Sequence, residues 1–193
     1  MWDTIPTRNG APADLVLGQR DFITRDENAG GEPSALGMRW PHGIALVDGG
    51  ILVADAGNNR IMAWRKMPQA NGVHCDFVIG QADMRSVDHN RAAYYPTARA
   101  LNMPYGLAVA GEHLIVADTA NSRLVGFALA GLAMDEAATR LAGQRDFAAK
   151  GDNRWAMPYR DSLCWPYNVS TCGDTLAVAD SGNNRVLLWE ALP

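Results

Sequence analysis

The chain is short of the residues that usually announce chemistry. Its three cysteines, Cys75, Cys164 and Cys172, form no CxxC pair, so neither a dithiol redox motif nor a cysteine zinc site is spelled out. They read as small core or loop fillers, with a Cys164–Cys172 bridge left open. The four histidines, His42, His74, His89 and His113, make no HExxH, no H-x-H and no pairing with cysteine at zinc spacing. No metal and no cofactor is therefore expected. A nucleophile elbow, a Walker loop and a dinucleotide fingerprint are all missing, so no catalytic residue is assigned. The longest apolar run, Leu124 to Met134, falls far short of the ~20 residues of a membrane-spanning helix. Met1-Trp2-Asp3 carries neither the positive region nor the apolar stretch of a secretory signal, which leaves localisation unknown. Positive charge is scarce as well: a net charge of -4 and a pI near 5.5 argue against a nucleic-acid partner, since binding phosphates takes clustered Lys and Arg.

What is present is repetition. Val53-Ala54-Asp55 closes on Asn58 and Arg60, Val116-Ala117-Asp118 on Asn121 and Arg123, and Val178-Ala179-Asp180 on Asn183 and Arg185, at intervals of 63 and 62 residues. Other landmarks keep step: Gly18-Gln19, Gly80-Gln81 and Gly143-Gln144; Asn28, Asn90 and Asn153; Pro41, Pro104 and Pro166. One structural unit in tandem explains this. Residues shared by all copies read as scaffold, and function is to be sought where the copies differ. Within a unit the pattern predicts strands at 42–47, 51–54, 60–64 and 76–79, separated by Gly- and Asn-containing turns. Four short strands per repeat mark an all-β unit, of the kind that forms one propeller blade. Residues 128–142 have helix-forming composition. The repeat phase overrules it and places strand at Leu141-Ala142, with local helix expected only in the connection before it.

The phrases Pro-His-Gly-Ile-Ala (41–45), Ile-Leu-Val-Ala-Asp (51–55) and Asn-Asn-Arg-Ile (58–61) closely resemble the NHL repeat, and the copies at 104–125 and 166–187 follow them, with Asn168 replacing a glycine and Asn121-Ser122-Arg123 varying the second phrase. The resemblance implies a β-propeller built from three four-stranded blades, an open arc equal to half of a six-bladed ring. It divides the chain into the end of an incomplete blade (1–19) and three repeats (20–81, 82–144 and 145–193), the last lacking its outer strand. For function it implies little, because the family includes protein-interaction modules, RNA binders, receptor-kinase ectodomains and a peptide-amidating lyase, whose histidine set is missing here.

The Asp55, Asp118 and Asp180 set invites a reading as metal-binding carboxylates. Each is followed five residues later by an arginine, so charge pairing and turn capping account for them without an ion. Long connections, 20–40, 82–103 and 145–165, precede the first strands; the recurrence of Asp21, Asp83 and Asp146 beside Gln19, Gln81 and Gln144 suggests loops pinned by their own hydrogen bonds. The position after the repeated proline varies among His42, Tyr105 and Tyr167, and the position two before it among Arg39, Asn102 and Cys164. In a propeller both lie at the channel mouth. Imidazole and phenol combine a hydrogen-bonding group with a flat apolar face, so His42, Tyr105, Tyr167, Arg39 and Asn102 form the candidate ligand site, against packing between blades as the plainer alternative.

Trp2 shares the phase of Trp64, Phe127 and Trp189, and the tail 189–193 echoes 2–6. Three blades would leave exposed sheet edges and inter-blade faces. Two completions follow: further blades in a longer polypeptide, or a homodimer in which Asp14 to Leu17 supplies the missing outer strand of its partner. The expected function is a non-enzymatic scaffold binding a protein, peptide or other ligand on the loop-bearing face, with no membrane partner. The alternative is a hydrolase or lyase using His42 as acid or base beside Asp21 or Asp83.

Overall fold

The computed structural model describes residues 4–190, and Trp2 and the last three residues of the tail echo lie outside that range. Three antiparallel sheets follow one another along the chain. The first contains β1 (Pro41–Val47), β2 (Gly50–Asp55), β3 (Arg60–Trp64) and β4 (Phe77–Ile79). The second contains β5 (Pro104–Ala110), β6 (His113–Asp118), β7 (Arg123–Ala128) and β8 (Arg140–Ala142). The third contains β9 (Pro166–Cys172), β10 (Thr175–Asp180) and β11 (Arg185–Glu190). Each is a simple up-and-down meander, because turns such as Asp48-Gly49, with both residues at positive φ, reverse the chain within a few residues. Arg140–Ala142 pairs with β7 as the repeat phase requires, and no helix forms anywhere in 128–142. The third sheet has no outer strand among the described residues. Asp14 to Leu17 forms no strand in the single chain. With no sheet edge presented to it there, the segment lies on its own first blade: Leu15 is buried, Leu17 packs beside Met38 and Val53, and the Val16 amide donates to Asn71 Oδ1.

Strand alternation gives every sheet two apolar faces, and consecutive sheets bury them against each other. Ala45, Leu52, Ala54 and Ile61 on the forward face of the first sheet meet Leu107, Leu114, Val116 and Phe127 on the rear of the second. Ala108, Ala117 and Leu124 repeat this against Val169 and Val178 of the third. The innermost strands β1, β5 and β9 lie side by side. Their approach is close enough to require glycine: a Cβ at Gly43 would stand 2.5 Å from the Tyr105 carbonyl oxygen, and one at Gly106 2.8 Å from Asn168 Cα. Sheets stacked face to face about a common inner line are propeller blades, and these three form an open arc.

The carboxylates at 55, 118 and 180 organise the loops. Asp55 accepts from the Arg39 amide (2.6 Å), from Asn58 Nδ2 (2.8 Å) and from Arg60 Nε (2.8 Å). The fully buried Arg60 then donates Nη1 to the Met84 carbonyl and Nη2 to those of Ser34 and Gly37. Thus one guanidinium joins the long connection before its blade to the one after it. Arg123 does the same with Asp118, Phe147, Thr97 and Ala100. Asn28, Asn90 and Asn153 recur because each takes a left-handed backbone, φ 54°, 50° and 51°, that asparagine tolerates better than most residues. Their side chains lock onto Asn58, Asn121 and Asn183. The glutamines play a similar part, Gln144 Nε2 reaching the carbonyls of Asn121, Ser122 and Gly151.

All three cysteines are free, so no Cys164–Cys172 bridge forms. Burial pushes the Cys75 thiol up to about 11, which makes its thiolate scarce at neutral pH.

Removing one partner of a buried, fully hydrogen-bonded pair leaves an uncompensated charge and loose carbonyls. Arg123→Ala should therefore lower the unfolding free energy by about 3–5 kcal/mol in urea titrations. Arg123→Lys should remain clearly destabilised, since an ammonium keeps the charge but not the planar fork that spans two loops. Equal stability of Lys and Arg at this position would show that charge alone matters.

Candidate functional site

The inner strands begin with a kink. Pairing of β1 with β2 slips between Pro41 and Ile44, that of β5 with β6 between Pro104 and Leu107, and β9 slips against β10 at the residue after Pro166. Each irregularity includes the residue after the repeated proline, and such bulges re-aim side chains. Here they turn His42, Tyr105 and Tyr167 toward one another. The His42 ring meets Tyr105 edge-on at 4.2 Å, and Tyr105 stacks on Tyr167 at 5.0 Å with 29° between planes. Three side chains at positions 62 or 63 residues apart therefore make one continuous aromatic row across the mouth of the arc. Desolvation, with Tyr167 beside it, raises the Tyr105 phenol above its ordinary range.

The residue before each proline also departs from ordinary backbone. Trp40, Met103 and Trp165 have φ of 52°, 51° and 50°, a left-handed conformation that is rare for bulky residues and further restricted before proline. Hydrogen bonds from the preceding blade hold it: Asn59 Oδ1 accepts from the Met103 amide at 2.8 Å, and Ser122 Oγ from the Trp165 amide at 3.3 Å. The remaining expected positions are anchored through their backbones. Asp118 accepts from the Asn102 amide and Asp180 from the Cys164 amide, both at 2.7 Å, as Asp55 does from Arg39. Their side chains are left free to vary. Arg39 turns away from the row, pairing with Glu27 at 3.1 Å and lying 4.8 Å above the Trp40 ring. Row and rim are thus two features, the first formed by His42, Tyr105 and Tyr167, the second by Arg39, Asn102 and the tryptophans.

Sequence reasoning missed the exposed aromatics of the long connections. Trp40, Tyr94, Tyr95, Trp155, Tyr159 and Trp165 are all exposed. Tyr94 and Tyr95 meet edge-on at 4.8 Å, and Lys150 Nζ sits 3.7 Å from the Tyr94 ring, linking one connection to the next. The signal was present in the density of Trp and Tyr within loops, but Tyr94, Trp155 and Tyr159 have no counterpart at the same phase and repeat analysis passes over them. The carboxylates offered as partners to His42 are otherwise engaged. Asp21 Oδ1 accepts from the amides of Thr24 and Ile23, and Asp83 Oδ1 from those of Ser86 and Arg85, bonds that hold both carboxyls below their ordinary range. Among the described residues no group of three or more His, Cys, Asp or Glu side chains is placed to hold a metal ion.

The proline, the V-A-D strand and the N-N-R turn of the first blade match a known sequence family over residues 38–62. That family is the NHL repeat. The blades that follow reuse the same NHL phrases at 104–125 and 166–187. No curated protein matches the chain. Among solved structures it is similar to the PQQ-bound aldose sugar dehydrogenase of Streptomyces coelicolor, with 18% identity and a TM-score of 0.44 over 84% of this chain and 49% of that one. It is also similar to a streptogramin B lyase, with 15% identity and a TM-score of 0.35 over 83% of this chain and 56% of that one. The chain therefore spans about half the length of these two structures.

The stacked environment of Tyr105 has a spectroscopic consequence. Exposed phenols ionise near ~10, whereas the Tyr105 contribution to tyrosinate absorbance should appear later in an alkaline titration. Tyr105→Phe should delete that late component. Tyr167→Phe should move it partway back toward the ordinary range, burial remaining the larger cause. A late component that survives Tyr105→Phe would contradict the geometry.

Proposed function

We propose that the NHL arc is a non-enzymatic recognition module that binds a peptide or protein segment across its loop-bearing face, with the aromatic row of His42, Tyr105 and Tyr167 as its centre. One observation carries this reading: three positions at the channel mouth that change between imidazole and phenol in otherwise matching blades are brought into mutual ring contact. Beneath them the scaffold is fixed by buried Asp–Arg pairs that leave those side chains unused. Flat rings carrying a single polar group offer large contact area at small entropic cost, which is why Tyr dominates many recognition surfaces. The exposed tryptophans and tyrosines of the surrounding connections extend the same chemistry outward, as an apolar patch with polar edges that is typical of interaction sites.

Peptides selected from a displayed library against the immobilised chain provide the test. Those that bind the loop-bearing face should lose about 30-fold or more in affinity on Tyr105→Ala or Tyr167→Ala, the scale of an interfacial hot spot, with circular dichroism unchanged. Binding indifferent to His42→Ala, Tyr105→Ala and Tyr167→Ala together would place recognition elsewhere. Turnover of a substrate in a hydrolase and lyase screen, abolished by His42→Ala, would overturn the non-enzymatic reading.

A further inference from the structure

The two ends of the arc are complementary, position by position, in the same way as the blades already joined inside it. At each internal junction a forward face covers a rear face. Leu107, on the rear of the second sheet, is 6% exposed, whereas its repeat equivalent Ile44, on the rear of the first, is 60% exposed, with Leu46 at 66%. Ile61, on the forward face of the first sheet, is fully buried, whereas its equivalent Val186 on the third is 66% exposed, with Leu188 at 69%. The open rear face forms an apolar hollow of about 730 Å³ lined by Leu15, Leu17, Phe22, Ile44, Leu46 and Val53.

The polar contacts between blades are interrupted at matching points. Asn59 and Ser122 accept from the amides of Met103 and Trp165 in the next blade. Asn184 is third in that series and its side chain has no bond among the described residues, while the Trp40 amide, first in the donor series, has none either. Thr119 Oγ1 donates to the carbonyl of Pro166 in the next blade at 2.6 Å. The hydroxyl of Ser181, its equivalent, has among the described residues only the contact within its own blade, to the Ala179 carbonyl. Arg60 and Arg123 each give Nη1 to the connection that follows, at Met84 and Phe147. Arg185 spends Nε on Asp180 and Nη2 on Tyr159 and Ser162, leaving Nη1 without a partner among the described residues, and the residue at the phase of Met84 and Phe147 is Phe22.

We infer that the occupant of these faces is a second copy of this chain, joined about a two-fold axis so that the forward face of each third blade covers the rear face of the other copy's first blade. Two like junctions then close a six-bladed ring. At each one, Asn184 takes the Trp40 amide of a second copy, Ser181 its Pro41 carbonyl and Arg185 its Phe22 carbonyl, while Val186 and Leu188 enter the hollow around Ile44 and Leu46. The ring also completes the mouth, because Tyr167 at one end of the aromatic row comes beside His42 at the start of the next. Asn168, with Ser170 beside it in place of Ala45 and Ala108, marks a difference from the internal junctions. It stands where Gly43 and Gly106 permit backbone contact, so the inner strands are wider apart here and the amide lines the gap. This inference is independent of the ligand-binding reading.

The test is light scattering coupled to size exclusion on the 193-residue chain. The wild type should run at twice the chain mass. Ile44→Asp and Leu188→Lys, each present at both junctions, should weaken association more than about a hundredfold, because each buries a charge on an apolar face. Mixing the two variants should restore a dimer, since one junction of the mixed ring is then wild type and the other sets Asp against Lys. Asn184→Gly, which keeps the left-handed backbone at that position (φ 53°), combined with Ser181→Ala, both at exposed positions, should weaken association at least tenfold even if the charged variants misfold. A monodisperse wild-type monomer overturns the inference. So does sensitivity to Ile44→Asp but not Leu188→Lys, which would mean rear face on rear face, or failure of the folded mixture to reassociate.

Discussion

A buried guanidinium facing a buried carboxylate is the constraint from which the rest of this architecture follows. Arg60 and Arg123 have no solvent exposure, nor have Asp55 and Asp118. Taking such charges from water costs several kcal/mol per ion, so the pairs are weak evidence for net stability. What they supply is uniqueness of arrangement. A planar fork of donors with one edge on a carboxylate can satisfy carbonyls only in set directions, and Arg60 reaches Ser34, Gly37 and Met84 at once. Two connections of some twenty residues, which would otherwise wander, are thereby tied to the blade they flank and to each other.

That tie sets what is free to change. The second oxygen of each carboxylate takes the amide of Arg39, Asn102 or Cys164, so backbone position there is independent of the side chain. One residue later the chain is forced left-handed, then proline starts the inner strand and a bulge presents His42, Tyr105 or Tyr167. Scaffold chemistry and variable chemistry are separated by only two or three residues. The same fold can thus carry different mouths, because exchanging an imidazole for a phenol disturbs none of the bonds beneath.

The phase of the repeat made most of the fold legible, since Asp55 and Arg60 recur with a glycine- and asparagine-rich turn between them and a strand on either side. It also settled residues 128–142, where composition favoured a helix but Leu141 had to lie where β4 lies in the first blade. Convergence of His42, Tyr105 and Tyr167 was legible only as shared phase; their ring contacts depend on the bulge and on the closeness of β1, β5 and β9, which glycine permits and no pattern announces. The behaviour of Arg39 was not legible at all. Its engagement with Glu27 and Trp40 arises from side chains that the repeated connection does not share, since His89 and Asp152 stand at the phase of Glu27. Likewise Asp14 to Leu17 has a strand's pattern but forms none in the single chain, because a strand is a property of a pair and no sheet edge is offered to it.

Repeat arrays place opposite demands on their middle and their ends. Internal faces must be apolar to bury one another, whereas a terminal unit left in water is normally recast with a polar outer face. The rear of the first blade shows no such recasting, since Ile44 and Leu46 keep the character of Leu107 and Val109. The forward face of the third is divided: Asn168 and Ser170 near the channel have turned polar, while Val186 and Leu188 farther out have stayed apolar. A solvent cap would show the reverse, because the outer strands meet more water than the inner ones. The division instead suits a face that is covered along its outer part, as Ile61 and Leu124 are covered between the internal blades, and held farther from its neighbour along its inner part, where Asn168 replaces the glycines that let the internal strands touch.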